Sequence, residues 1–168
     1  MNIFILSLFP KTCAMWHIDA HVRKMIIEYA QLLSTTHRVL DEIGPNLDSV
    51  LYKKTHMNHP CAKWARKSSM NYCFLYELFV ALCDEYTYRF GKVHLSDKKL
   101  RTVLAVVPKN IPIASFTKFP QAMPDEYKTD DVCEAYQAFY NGSKRNTKAG
   151  KPMDIWTRRD IPDFMTLQ

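Results

Sequence analysis

The sequence predicts a mainly α fold: a single compact domain of about four or five helices, with an extended N-terminal segment and a basic, aromatic C-terminal tail. Three observations predict it. Apolar residues recur at helical spacing in two long stretches, first Val22, Met25, Ile26, Tyr29, Leu32, Leu33 and Leu40, then Trp64, Tyr72, Leu75, Tyr76, Phe79, Leu82, Cys83 and Tyr86. Few segments alternate as strands do. No internal repeat, low-complexity tract or linker divides the 168 residues, a length that suits one domain with its own core.

The elements follow in order. Residues 2–9 read as an extended segment that must pack on something, and Pro10 ends it. Thr12 is placed to cap a short turn. Asp19 is a second N-cap candidate, opening a helix to Val39 or Leu40 that Gly44-Pro45 stops. Residues 46–59 read as a loop. Asn58-His59-Pro60 starts the second long helix, with Pro60 at its first position. The first third of that helix is basic (Lys63, Arg66, Lys67) and the last third acidic (Glu77, Asp84, Glu85), opposite to what the helix dipole prefers. Either the basic start is kept for a ligand such as phosphate, or these are tolerated exposed side chains. Gly91 ends the helix. Ser96 caps another, carrying Leu100, Val103 and Leu104, which stops before Pro108. Pro108, Pro112, Pro120 and Pro124 make residues 108–126 an ordered loop or lid. Thr129 or Asp130 caps a last helix through Val132, Tyr136, Phe139 and Tyr140, closed by Asn141-Gly142.

Composition narrows the function classes. Apolar residues make up 47% and charged residues 24%, ordinary for a water-soluble domain, and no apolar run is long enough to cross a bilayer. The start, MNIFILSLFP, lacks a basic leader and a small-residue cleavage site, and is read as structure rather than as a signal peptide. Five cysteines without a C-x-x-C pair argue for reduced thiols, a cytoplasmic setting and no zinc ribbon. The net charge of +6, with a pI near 9.0, favours a polyanion partner. Between Ser143 and Arg159, Lys144, Arg145, Lys148, Lys151, Arg158 and Arg159 face one acid, Asp154. Basic residues among aromatics suit a nucleic-acid surface, although most single rings serve a core.

Three constellations carry chemistry. On a helix, His17, His21, Lys24 and Glu28 follow at spacings of four, three and four and share a face. A carboxylate beside a histidine suits acid/base work, and a lysine amine can attack a sugar carbon. The plainer alternative is a Lys24–Glu28 ion pair beside a packed histidine. Second, His17/His21 and His56/His59, with Cys61 nearby, have spacings from which a metal site could be built. Third, Asn58-His59-Pro60 with Trp64 and Arg66 could seat a phosphate at a helix start and stack a base on Trp64. The alternative is an ordinary capped helix with Trp64 in the core. A Gly-rich phosphate loop, a G-x-S-x-G elbow and H-E-x-x-H are all missing, which argues against common ATPases, α/β hydrolases and zincins.

The stretches HIDAHVRKMIIEYAQLLSTTHRVLD, THMNHPCAKWAR, LCDEYTYRFGKVH and FPQAMPDEY resemble a set of small phage proteins. More distantly, the chain is similar to the phage-type pyrimidine-dimer DNA glycosylases with abasic-site lyase activity. In that family a short N-terminal segment leads into a long helix carrying a histidine and, seven residues later, the catalytic glutamate; His21 and Glu28 have that spacing. IWTRRDIPDFM is the loose counterpart of the family's aromatic, basic C-terminal segment. The family's nucleophile is the α-amine exposed when the initiator Met is removed from a small second residue. Here the second residue is Asn2, before which Met is usually retained. Met1 then supplies the amine, or Lys24 replaces it, or the lyase chemistry is absent. Ile27 and Gln31 stand where the family's helix carries arginines.

The resemblance implies a DNA-binding enzyme acting on the glycosidic bond of a damaged or modified pyrimidine in the host cytoplasm, with no cofactor. Its candidate catalytic residues are Glu28, His21, Lys24 and Met1. Candidate nucleic-acid contacts are His17, His56, Asn58, His59, Lys63, Trp64, Arg66, Lys67, Arg158 and Arg159. The alternatives are a non-catalytic nucleic-acid-binding phage accessory protein and a metal-dependent enzyme using the histidine clusters.

Overall fold

In a computed structural model, which describes residues 1–145 and 150–165, the described chain forms seven α-helices and no strand. They are α1 (Pro10–Trp16), α2 (Asp19–Leu40), α3 (Pro45–Val50), α4 (Pro60–Ala65), α5 (Ser69–Phe90), α6 (Leu95–Leu104) and α7 (Val132–Ser143), with a 3-10 turn at Asp125–Tyr127. The mainly helical class expected from periodicity is what forms. The count exceeds four or five because three short helices join the long ones.

Each added or shifted boundary has a local cause. Pro10, Pro45 and Pro60 each sit in the first turn of a short helix, where a missing N–H costs nothing. Residues 46–50, expected as loop, are helical, and Arg38 holds that turn through the carboxylate of Asp48 and the carbonyls of Asp48 and Leu51. The second long pattern is two helices, not one. The Ser68 hydroxyl accepts the Asn71 N–H and caps α5 afresh, so the chain breaks after Ala65. Lys63, Arg66 and Lys67 therefore lie before α5 and not in its first turn, and the expected conflict with its dipole does not arise. The caps of α6 and α7 are His94 and Asp131, one or two residues from those expected. Gly91 closes α5 in the left-handed conformation, φ 67°, as its position suggested.

The buried apolar residues form one cluster. Helices α2 and α5 are its two long walls, with α1 packed on α5 and α4 and α6 packed on α2. Residues 1–9 adopt neither helix nor strand, yet Ile3, Ile5 and Leu6 are fully buried. Lacking a sheet ladder, this segment satisfies its backbone through side chains. Tyr29 Oη receives the Phe4 N–H at 3.2 Å, Cys13 Sγ reaches the Phe4 carbonyl at 3.2 Å, and Gln137 Nε2 donates to the Leu6 carbonyl at 2.9 Å.

The C-terminal segment is fastened at the opposite end of α1. The Trp156 indole donates to the Trp16 carbonyl at 3.0 Å, and Thr157 gives Asp19 two hydrogen bonds, from its N–H at 3.0 Å and its hydroxyl at 2.6 Å. Gly142, inside α7, lies against the end of the Tyr127 side chain: an added Cβ would lie 2.5 Å from Tyr127 Oη. Gly142→Ala is expected to push the tip of the Tyr127 ring aside, a cost offset by the roughly 1 kcal/mol that alanine gains over glycine in a helix, read as an unchanged helical spectrum with a urea midpoint close to that of the wild type.

Candidate functional site

Glu28 is where the N-terminal segment meets α2. Its Oε2 accepts the Asn2 N–H at 3.1 Å and lies 3.8 Å from the α-amine of Met1. Its Oε1 lies 3.3 Å from Lys24 Nζ one helical turn away. The carboxylate thus faces an α-amine from one side and a side-chain amine from the other. The expected i, i+4 ion pair exists, but it is half of the arrangement rather than the whole of it.

These groups border a pocket of about 270 Å³. Phe4 and Phe139 supply apolar wall, Ala122 comes from the proline-rich segment, and Lys144 reaches in from the end of α7. Lys144 Nζ sits 4.4 Å over the Phe139 ring. Burial lowers the Lys144 pKa, and nearby Lys24 lowers it further. With the Met1 amine and Lys24, three cationic groups border the pocket around one carboxylate. A pocket with surplus positive charge suits an anionic ligand.

His21 lines the same pocket in a different capacity from the one expected. Its Nδ1 is hydrogen-bonded to the Tyr140 hydroxyl, and its ring stacks on Phe4 with centroids 4.6 Å apart. Burial, then the neighbouring His17, Lys144 and Lys24, push its pKa down to about 2. His21 is therefore a neutral imidazole at physiological pH. It can shape the pocket or exchange a hydrogen bond, but it supplies no charge for a phosphate.

His17 does not join the row. The chain turns at Ile18, the N-cap of α2, and His17 caps the end of α1 instead. It is fully buried, with Nδ1 2.7 Å from the Cys13 carbonyl and Nε2 3.4 Å from Tyr29 Oη. A DNA contact from His17 is thereby replaced by a core role. Trp64 is likewise in the core. It stacks on Phe119 at 4.9 Å and donates its indole N–H to the Thr117 carbonyl, so its ring is not free for a base. Arg159 is turned inward, its guanidinium forked on Glu85 at 2.9 and 2.8 Å and lying over Tyr88.

The other candidate contacts remain on the surface. His56, Asn58, Lys63, Lys67 and Arg158 are exposed, and His59 and Arg66 are half-buried. His56 takes a left-handed φ of 44°, uncommon for a side chain with a Cβ. Arg66 Nη1 donates to the Met57 carbonyl, and Arg158 Nη1 to that of Tyr88. His59 caps α4 through Nδ1, which accepts the Cys61 N–H at 3.2 Å. Its pKa is lowered by burial and by the nearby α-amine, against Glu28, and the Sγ of Cys61 lies 3.9 Å from Asn2 Oδ1, which sets the start of α4 beside the N-terminal segment. Lys148, part of the expected basic tail, lies outside the described residues.

Among the described residues no group of three or more His, Cys, Asp and Glu side chains could hold a metal ion. Nor is any helix of the described residues long and apolar enough to cross a membrane.

Asn2, Lys144 and Tyr140 are site residues that the sequence reading passed over. Lys144 was visible only as one charge in a basic run. Asn2 was visible only as the residue after Met1.

Fold and site together define a mainly helical protein with an amine–carboxylate pocket at its N-terminus. No family model matches the chain, and no curated protein and no solved structure proved significantly similar to it.

Proposed function

We propose that the protein is a DNA glycosylase acting on a damaged or modified pyrimidine, with abasic-site lyase activity, and that its nucleophile is the α-amine at the start of the chain. One observation carries the reading: the Met1 amine and the Asn2 nitrogen both face Glu28 Oε2, at 3.8 and 3.1 Å. Whether the chain starts at Met1 or at Asn2, its terminal nitrogen meets the same carboxylate. Lys24 is the less favoured amine because its side chain is 69% exposed, whereas the pocket wall shelters the terminus. The surplus cationic charge at the pocket and the exposed basic residues near α4 suit the phosphate backbone, whose contacts make binding salt-dependent.

The chemistry is that of covalent catalysis. The target nucleotide leaves the stack and its sugar enters the pocket. Once the amine has passed a proton to Glu28 it attacks C1′, the glycosidic bond breaks, and its electron pair leaves with the base, which takes up a proton. Ring opening gives an imine between the chain and C1′. Glu28 steadies the developing positive charge at the sugar and carries protons between the amine, the ring oxygen and the leaving base.

Borohydride trapping on two duplexes, one ultraviolet-irradiated and one containing an abasic site, tests this directly. A covalent adduct is expected on at least one duplex. Glu28→Gln is expected to slow its formation by about 10²–10⁴-fold, the usual share of a general acid–base group, while salt-sensitive DNA binding persists. Peptide mass mapping would place the adduct on the first residue. An adduct on Lys24 would move the nucleophile. Binding with no adduct on either duplex would leave a nucleic-acid-binding protein without this chemistry.

A further inference from the structure

A chain end is where order is hardest to keep, because no preceding residue restrains it. An amine that must meet a carboxylate and a sugar carbon needs that order. The first six residues, Met-Asn-Ile-Phe-Ile-Leu, contain one polar side chain, Asn2. Its carboxamide is held on both sides. Oδ1 accepts the Tyr136 hydroxyl at 2.8 Å and the Ile3 N–H at 2.8 Å, while Nδ2 donates to the Ala122 carbonyl at 2.9 Å. Tyr136 is fully buried, shares its proton with the Pro120 carbonyl at 3.0 Å, and accepts the Ala122 N–H at 3.3 Å. Helix α7 and the proline-rich segment therefore grip one amide group, which in turn fixes the backbone next to Glu28. A side chain with both donor and acceptor ends satisfied has one orientation.

We infer that Asn2, clamped by Tyr136 and the Ala122 carbonyl, is the positioning residue that aims the chain's terminal amine at Glu28. This rests on the proposed amine chemistry for its purpose, but not for its geometry. Tyr136 acts through Asn2 and does not itself touch the pocket contents. The proline-rich segment gains a function by the same account: its Pro120–Ala122 carbonyls form one jaw of the clamp.

Tyr136→Phe removes the hydroxyl alone and is the test, with Tyr72→Phe as its control. Tyr72 is another buried tyrosine, bonded to the Leu104 carbonyl and His37 at 2.9 Å, away from Glu28. Two readouts are taken. Without DNA, amide hydrogen exchange at Asn2 and Ile3 is expected to speed by about tenfold in Tyr136→Phe, since each opening is opposed by one hydrogen-bond network less, and to stay unchanged in Tyr72→Phe. With DNA, the adduct-forming rate at saturating duplex is expected to fall by about 10–100-fold, the effect of misplacing a reacting group by roughly an ångström, with half-saturating duplex concentration unchanged. Faster exchange together with no adduct even in the wild type would retain the clamp and discard the glycosylase reading. Wild-type exchange and a wild-type adduct rate in Tyr136→Phe would discard the clamp and leave that reading standing.

Discussion

Arg89→Met lowers stability by roughly 3–5 kcal/mol, the expected result of leaving the buried Asp19 carboxylate without its cation and Glu85 with Arg159 alone. Arg89 is 2% exposed, yet each of its three guanidinium nitrogens is hydrogen-bonded. Nε meets Glu85 at 2.6 Å, Nη1 meets Asp19 at 2.9 Å and the His17 carbonyl at 2.8 Å, and Nη2 meets the Met15 carbonyl at 2.8 Å. One guanidinium thus closes the end of α1, the start of α2 and the last turn of α5. The same two carboxylates hold the C-terminal segment, Asp19 through Thr157 and Glu85 through Arg159. Burial raises the Glu85 pKa, but the hydrogen bonds from Arg159 and Arg89 outweigh it and hold the carboxyl below its usual range. Methionine fills similar space without a charge, so the loss reports the unpaired Asp19 carboxylate and the weakened hold on Glu85 more than a cavity. In a chain of this size the melting temperature should fall by about 10 °C. Arg159→Met, at a side chain that is 26% exposed, should cost clearly less. Equal losses at the two arginines would contradict the assignment of Arg89 as the buried keystone.

Acid is the second large lever, through His17 and His21. Burial drives the His17 pKa from 6.5 down to about 4, with the Cys13 carbonyl opposing, and that of His21 down to about 2. The hydrogen-bond pattern around His17 explains why protonation is resisted. The Phe4 N–H donates to Tyr29 Oη, whose proton reaches His17 Nε2, while Nδ1–H donates to the Cys13 carbonyl. A second ring proton would have to break this relay. The folded pKa values lie below the unfolded ones, so between them the unfolded chain binds more protons. The contribution is therefore whole above pH 6.5 and is lost as pH falls toward 4. At pH 5 each histidine costs about 2 kcal/mol, from 1.5 units at 1.36 kcal/mol per unit, and the pair about 4 kcal/mol. His37 and His59 are lowered as well, chiefly by burial, and pull in the same direction. Urea midpoints at pH 7 and pH 5 measure the effect. His17→Asn, which keeps a donor for the Cys13 carbonyl and cannot titrate, should weaken the pH dependence by about 2 kcal/mol between pH 7 and pH 5. A flat profile in the wild type would mean that the histidines are not buried as described.

The sequence alone determined what depends on near neighbours. Helix α2 was legible in start, length and face because its apolar period runs from Val22 to Leu33 and Gly44-Pro45 stops it soon after Leu40. Gly91 was legible as a helix end because a left-handed residue there favours glycine. Lys24 and Glu28 were legible as neighbours because four residues bring side chains together on any helix. Tertiary structure decided the rest. The break between α4 and α5 was hidden because the apolar period continues across it, and only the Ser68 cap interrupts the backbone. His17 shares the spacing of the functional row, but the turn at Ile18 sends it into the core. Trp64 and Arg159 have the composition of a DNA surface, and partners distant in sequence, Phe119 and Glu85, claim them. The site itself is of this second kind. Glu28 lies 26 residues from Asn2, and Asn2 lies 134 from Tyr136. No local pattern encodes such meetings. They follow from burying a six-residue apolar start that has no sheet to join and must take its hydrogen bonds from the helices around it.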